Sequence, residues 1–63
     1  MNQIDEEQAA RLAKELSELS KDQFEALQAA MYTGLSKEEG AAYDKRADRI
    51  SKICSLLANF RPL

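Results

Sequence analysis

The sequence predicts an all-α fold in a single helical domain, residues 1–63, on three observations. Charged residues make up 32% of the chain and hydrophobic residues 44%, a mixture suited to helices with one wet and one dry face. Only two glycines and one proline interrupt it. Two capping signatures, Ser20-Lys21-Asp22-Gln23 and Ser36-Lys37-Glu38-Glu39, punctuate it into three predicted helices at about 5–18, 21–33 and 37–60.

The first helix opens on Asp5, Glu6 and Glu7, where unpaired backbone N–H groups and the helix dipole favour negative charge. Ala9, Leu12, Ala13, Leu16 and Leu19 follow at helical spacing and form a dry stripe. The second helix is expected to start after Ser20, whose hydroxyl would accept the N–H of Gln23 while the Gln23 side chain reaches back, with Leu19 and Phe24 as a hydrophobic staple. It would bury Phe24, Leu27, Ala30 and Met31 and end near Thr33, because Gly34 can take the left-handed conformation that closes a helix.

The third helix repeats the device. Ser36 caps it, Glu39 is the reciprocal partner, and Pro62 marks its end near Phe60. Its dry stripe is Tyr43, Ala47, Ile50, Ile53, Cys54, Leu57 and Phe60, widened by Leu56. Gly40, in its first turns, implies fraying or a close helix contact. At 1.5 Å per residue the helices would be about 20, 20 and 36 Å long. With one or two residues between the first two, a bend is easier than a reversal. The expected architecture is a bent arm antiparallel to the long third helix, the alternative a compact three-helix bundle.

A chain of 63 residues removes only about 60% of its unfolded surface from water. Dimerisation or a larger protein partner is therefore expected from size. One cysteine, no histidine and no tryptophan exclude an internal disulfide and remove the commonest general base and metal ligand. The polar, acidic start lacks the features of a secretory signal, and no apolar run approaches roughly 20 residues. A cytoplasmic location is expected.

Catalysis finds little support. Glu6-Glu7 and Glu38-Glu39 fall in opening turns, which keep them ionised, whereas acid–base work needs a carboxyl whose proton affinity is raised. Asp44 and Asp48 share a face among Lys45, Arg46, Arg49 and Lys52, where ordinary surface pairing accounts for them. Cys54 falls on the dry stripe without an activating base, so burial is expected. No phosphate loop, calcium loop or thiolate–imidazole metal set is present, so no cofactor, metal or small-molecule substrate is expected.

Ala30-x-x-x-Gly34-Leu35-Ser36 resembles the turn of a helix-turn-helix module, over roughly seven residues. The resemblance implies base contacts from the start of the following helix. Here that start is Lys37-Glu38-Glu39-Gly40, and two acids there repel phosphates. The basic stripe lies further on, at Lys45, Arg49 and Lys52 with Arg46 beside it. The chain's net charge is -2, divided unevenly: residues 1–39 carry nine acids and four bases, residues 40–63 two acids and five bases. Nucleic acid is accordingly a disfavoured partner, and a membrane-surface role more so.

What remains is a small non-enzymatic interaction module: an adaptor, inhibitor or assembly subunit, regulatory in kind. The expected site is the C-terminal half of the third helix, with Ile53, Leu56, Leu57 and Phe60 as apolar anchors and Arg49, Lys52 and Arg61 as a charged rim. Its partner would be a second copy or a larger protein. The alternative is a nucleic-acid-associated regulator using Lys45, Arg46, Arg49 and Lys52.

Overall fold

The computed structural model describes residues 4–60. It contains two helices, α1 (Glu6–Thr33) and α2 (Lys37–Ala58). The expected three-helix division is thereby corrected: the segments at 5–18 and 21–33 are one unbroken helix of 28 residues. Among the described residues there is no bent arm and no third layer. The fold is an antiparallel helical hairpin.

The outer boundaries follow from local chemistry. At the start of α1, the Asp5 carboxylate accepts the backbone N–H of Gln8 at 2.7 Å, and Gln8 Oε1 accepts that of Asp5 at 3.2 Å. At the hairpin turn, Gly34 has φ 74° and ψ 177° and donates its N–H to the Ala30 carbonyl at 2.9 Å. That region is essentially closed to residues bearing a Cβ. Two residues later Ser36 caps α2 as the sequence predicts, its hydroxyl accepting the N–H of Glu39 at 3.1 Å while Glu39 Oε1 accepts that of Ser36 at 2.9 Å. The second helix ends at Ala58, and Asn59 and Phe60 close it with bonds to the Leu56 and Leu57 carbonyls. Pro62, the expected stop, lies outside the described residues.

Why does the Ser20 box not interrupt α1? A helix end leaves four N–H or C=O groups without intrahelical partners, and a capping box satisfies only two. Ser20, Lys21 and Asp22 are mediocre to good helix formers, and no glycine or proline separates them from Leu19. Above all, the inward face continues through them. Ala9, Leu12, Leu16, Leu19, Gln23, Ala26 and Ala30 alternate steps of three and four, and all are buried or half-buried. The spacing is that of a coiled-coil seam. Apart from Glu15, which flanks the series, every other residue of α1 is exposed.

The seam of α2 is Tyr43, Arg46, Ile50, Ile53 and Leu57, continued by Phe60 and flanked on one side by Ala42, Arg49 and Leu56. Arg46 occupies the place expected for Ala47, and Ala47 is exposed. Cys54, expected on the dry stripe, is likewise exposed, because it stands one residue, about 100° of helix, past Ile53. Gly40 makes no close helix contact: a Cβ built there meets nothing within 4 Å.

Burial is sparse. Ala9 and Ile53 are the buried apolar residues among those described, with Gln23 as a buried polar one. The accessible surface is 5125 Å², against about 4,100 Å² for a typical folded monomer of this mass. The radius of gyration is 14.3 Å, against about 11 Å for a globule of this length. The molecule is a rod of 47 × 18 × 13 Å.

Candidate functional apolar face on α1

Two cross-helix contacts fix which parts of the hairpin face each other. Near the turn, the buried Gln23 donates from Nε2 to the Tyr43 carbonyl at 3.0 Å and accepts the Nε–H of Arg46 on its own Oε1. Further from the turn, eight residues along α1 and three along α2, Arg49 clasps Glu15 through two bonds of 2.7 and 2.9 Å. The clasp lowers the Glu15 carboxyl below its usual range, chiefly through the side-chain hydrogen bond and opposed by desolvation, and raises the Arg49 guanidinium correspondingly. Toward the open end, Ile53 is fully buried, and Leu56, Leu57 and Phe60 are half-buried.

These contacts decide what covers the C-terminal half of α2. It is the N-terminal half of α1. Ile53 therefore faces the hairpin interior rather than a partner, and its expected role as a surface anchor is withdrawn. Leu56 lines a dent of about 340 Å³ with Ile4, Gln8, Arg11 and Leu12. Of the expected rim, Arg49 is engaged by Glu15, Lys52 is exposed and Arg61 lies outside the described residues. The expected basic stripe is broken up in the same way. Arg46 and Arg49 are turned to α1, leaving Lys45 and Lys52 exposed.

The exposed apolar surface is elsewhere. Phe24 is 60% exposed, Leu27 48%, Met31 82%, Tyr32 87% and Leu35 39%, all in the last third of α1 and the turn. Phe24, Leu27 and Met31, expected as core of a second helix, stand at i, i+3 and i+7 on one face. That face is rotated away from the seam, because in the unbroken helix the inward positions here are Gln23, Ala26 and Ala30. Polar and small residues thus occupy the interior while large apolar ones face outward. The signal was present in the sequence as a second three-four series beside the first, hidden once the chain is divided at Ser20.

Large exposed apolar patches on small proteins mark interaction surfaces. Methionine and aromatic residues suit such a face, methionine by adapting its shape and tyrosine by keeping a wet hydroxyl at the edge of a dry contact. No metal-binding group of three or more acidic, cysteine or histidine residues occurs among the described residues. No helix among them is long and apolar enough to cross a membrane. Comparison with family models, curated proteins and solved structures gives no match to this chain.

Proposed function

We propose that the protein is a helical interaction module, an adaptor, inhibitor or assembly subunit, that binds another protein through the outward face of α1 near the turn. The single observation behind this reading is the inversion there: Gln23, Ala26 and Ala30 face inward while Phe24, Leu27 and Met31 face solvent. Fully burying a side chain of this kind is worth roughly 1.5–3 kcal/mol, of which Met31 would gain most and the half-covered Phe24 and Leu27 about half, before the costs of association. The spacing i, i+3, i+7 is that of a helix laid against an apolar groove or a partner helix. The continuous helix presents these side chains at fixed spacing, which lowers the ordering cost of binding.

Photo-crosslinking in the cells that make the protein tests the reading. A photoreactive side chain replacing Met31 should give discrete protein adducts, and Phe24→Glu should abolish them. The same group at exposed Lys52 serves as control. No adduct from position 31, or equal adducts from both positions, overturns the proposal. An adduct of twice the chain mass identifies self-association, and a heavier one a foreign partner.

A further inference from the structure

Resting on the reading of this face as an interface, we infer that its occupant is a second copy of the chain, packed α1 against α1, antiparallel, about a two-fold axis between Ser17 and Ser20. The face extends well beyond the large residues. Ala10, Ala13, Ser17, Ser20, Phe24, Leu27 and Met31 form an uninterrupted three-four series, all exposed and none charged. It is a second coiled-coil seam on the same helix, and the hairpin leaves it unused.

Its sizes are graded. The N-terminal part carries alanine and serine, the C-terminal part phenylalanine, leucine and methionine. Reversed upon itself, the series sets Phe24 over the copy's Ala13, Leu27 over Ala10, and Ser17 over Ser20, while Met31 reaches the first turn. Large against small at the Phe24 and Leu27 levels is how interdigitating layers fill space, and the two serine levels at the axis bring the helices close. A parallel pair would crowd Phe24 on Phe24 and leave a void between alanines, and both errors are destabilising.

The edge of the seam is charged. Lys14, Glu18, Lys21 and Glu25 run along it, all exposed and alternating in sign. In the antiparallel pair each of these lysines lies about 3 Å along the axis from one glutamate and one lysine of the copy, and Glu18 lies nearest the copy's Glu18, so the edge admits the pair without favouring it. The rod also exposes about 1,000 Å² more than a typical monomer of its mass, spread over all its faces, where a standard stable interface covers roughly 800 Å² per partner. The product is a four-helix bundle of two hairpins.

The test uses the full chain with Cys54→Ser, so that no native thiol intervenes. Sedimentation equilibrium over a concentration series should give a dimer. Lys14→Cys and Glu25→Cys chains, mixed and oxidised, should form mainly the mixed disulfide, because in the antiparallel pair each cysteine lies roughly 14–20 Å along the axis from its own copy. Predominance of the two homodisulfides indicates a parallel pair and overturns the arrangement. Ala13→Phe, at a residue exposed in the hairpin, should weaken dimerisation at least tenfold with helicity unchanged, as should Phe24→Ala, and combining the two should restore it. Tighter dimerisation by Ala13→Phe, or no rescue in the double variant, overturns the size pairing. A monomer at all concentrations overturns self-association, while a foreign adduct from position 31 would still uphold the interaction surface itself.

Discussion

Gln23 and Arg46 face each other across the hairpin seam, the guanidinium Nε–H donating to the amide oxygen while the amide nitrogen donates to the Tyr43 carbonyl. A buried amide satisfied at both ends holds two helices in one register, since sliding either helix leaves its donors and acceptors unpaired. Gln23→Ala should cost about 1–3 kcal/mol by stranding these partners, seen as a lower urea midpoint. Gln23→Leu keeps the volume but removes the bonds, and should broaden the amide spectrum of Tyr43 and its neighbours as register is relaxed. Sharp, unshifted resonances would contradict this role.

The Glu15–Arg49 clasp gives the hairpin an acid sensitivity of defined sign. The Glu15 pKa is lower folded than unfolded, so the folded state holds this proton less tightly than the unfolded chain. The contribution is complete above the unfolded carboxylate value and is lost as pH falls through the folded one. Glu39 adds in the same sense, its carboxyl lowered by hydrogen bonds from the Ser36 backbone and side chain. Chemical denaturation from pH 6 downward should show stability falling in that window, and Glu15→Gln should flatten part of the fall. An unchanged profile in that variant would remove Glu15 as a source.

Gly34 and Gly40 should respond oppositely to alanine. A Cβ meets nothing within 4 Å at either position, so only the backbone distinguishes them. Gly34 has a positive φ that alanine resists, and Gly34→Ala should cost about 1–3 kcal/mol. Gly40 lies inside α2 with helical geometry, and Gly40→Ala should stabilise by about 1 kcal/mol. Thermal unfolding of the two variants decides both signs.

Ser20 and Ser36 share a capping signature but occupy different places, and their alanine variants should differ in sign. Within α1, Ser20→Ala exchanges a weaker helix former for the best and should stabilise by about 0.5 kcal/mol. At the start of α2, Ser36→Ala removes a true cap and should cost about 1 kcal/mol. Loss of stability in Ser20→Ala would argue for a break in α1.

The sequence alone located the start of α1 and the turn of the hairpin, while α2 stops at Ala58, short of the expected Phe60. Asp5, Gly34 and Ser36 act within a few residues of themselves, through a carboxylate, a missing Cβ and a hydroxyl, so their effects are legible without a fold. Only the tertiary structure decided that the chain passes through Ser20 as helix and which stripe turns inward. Phe24, Leu27 and Met31 carry the stronger apolar pattern, yet the seam runs through Gln23, Ala26 and Ala30. Gln23 belongs inside only because Tyr43 and Arg46, some twenty residues away, present a carbonyl and a guanidinium to it. The same long-range choice buried Ile53 against α1, exposed Cys54, and moved the candidate site from the end of α2 to the outer face of α1.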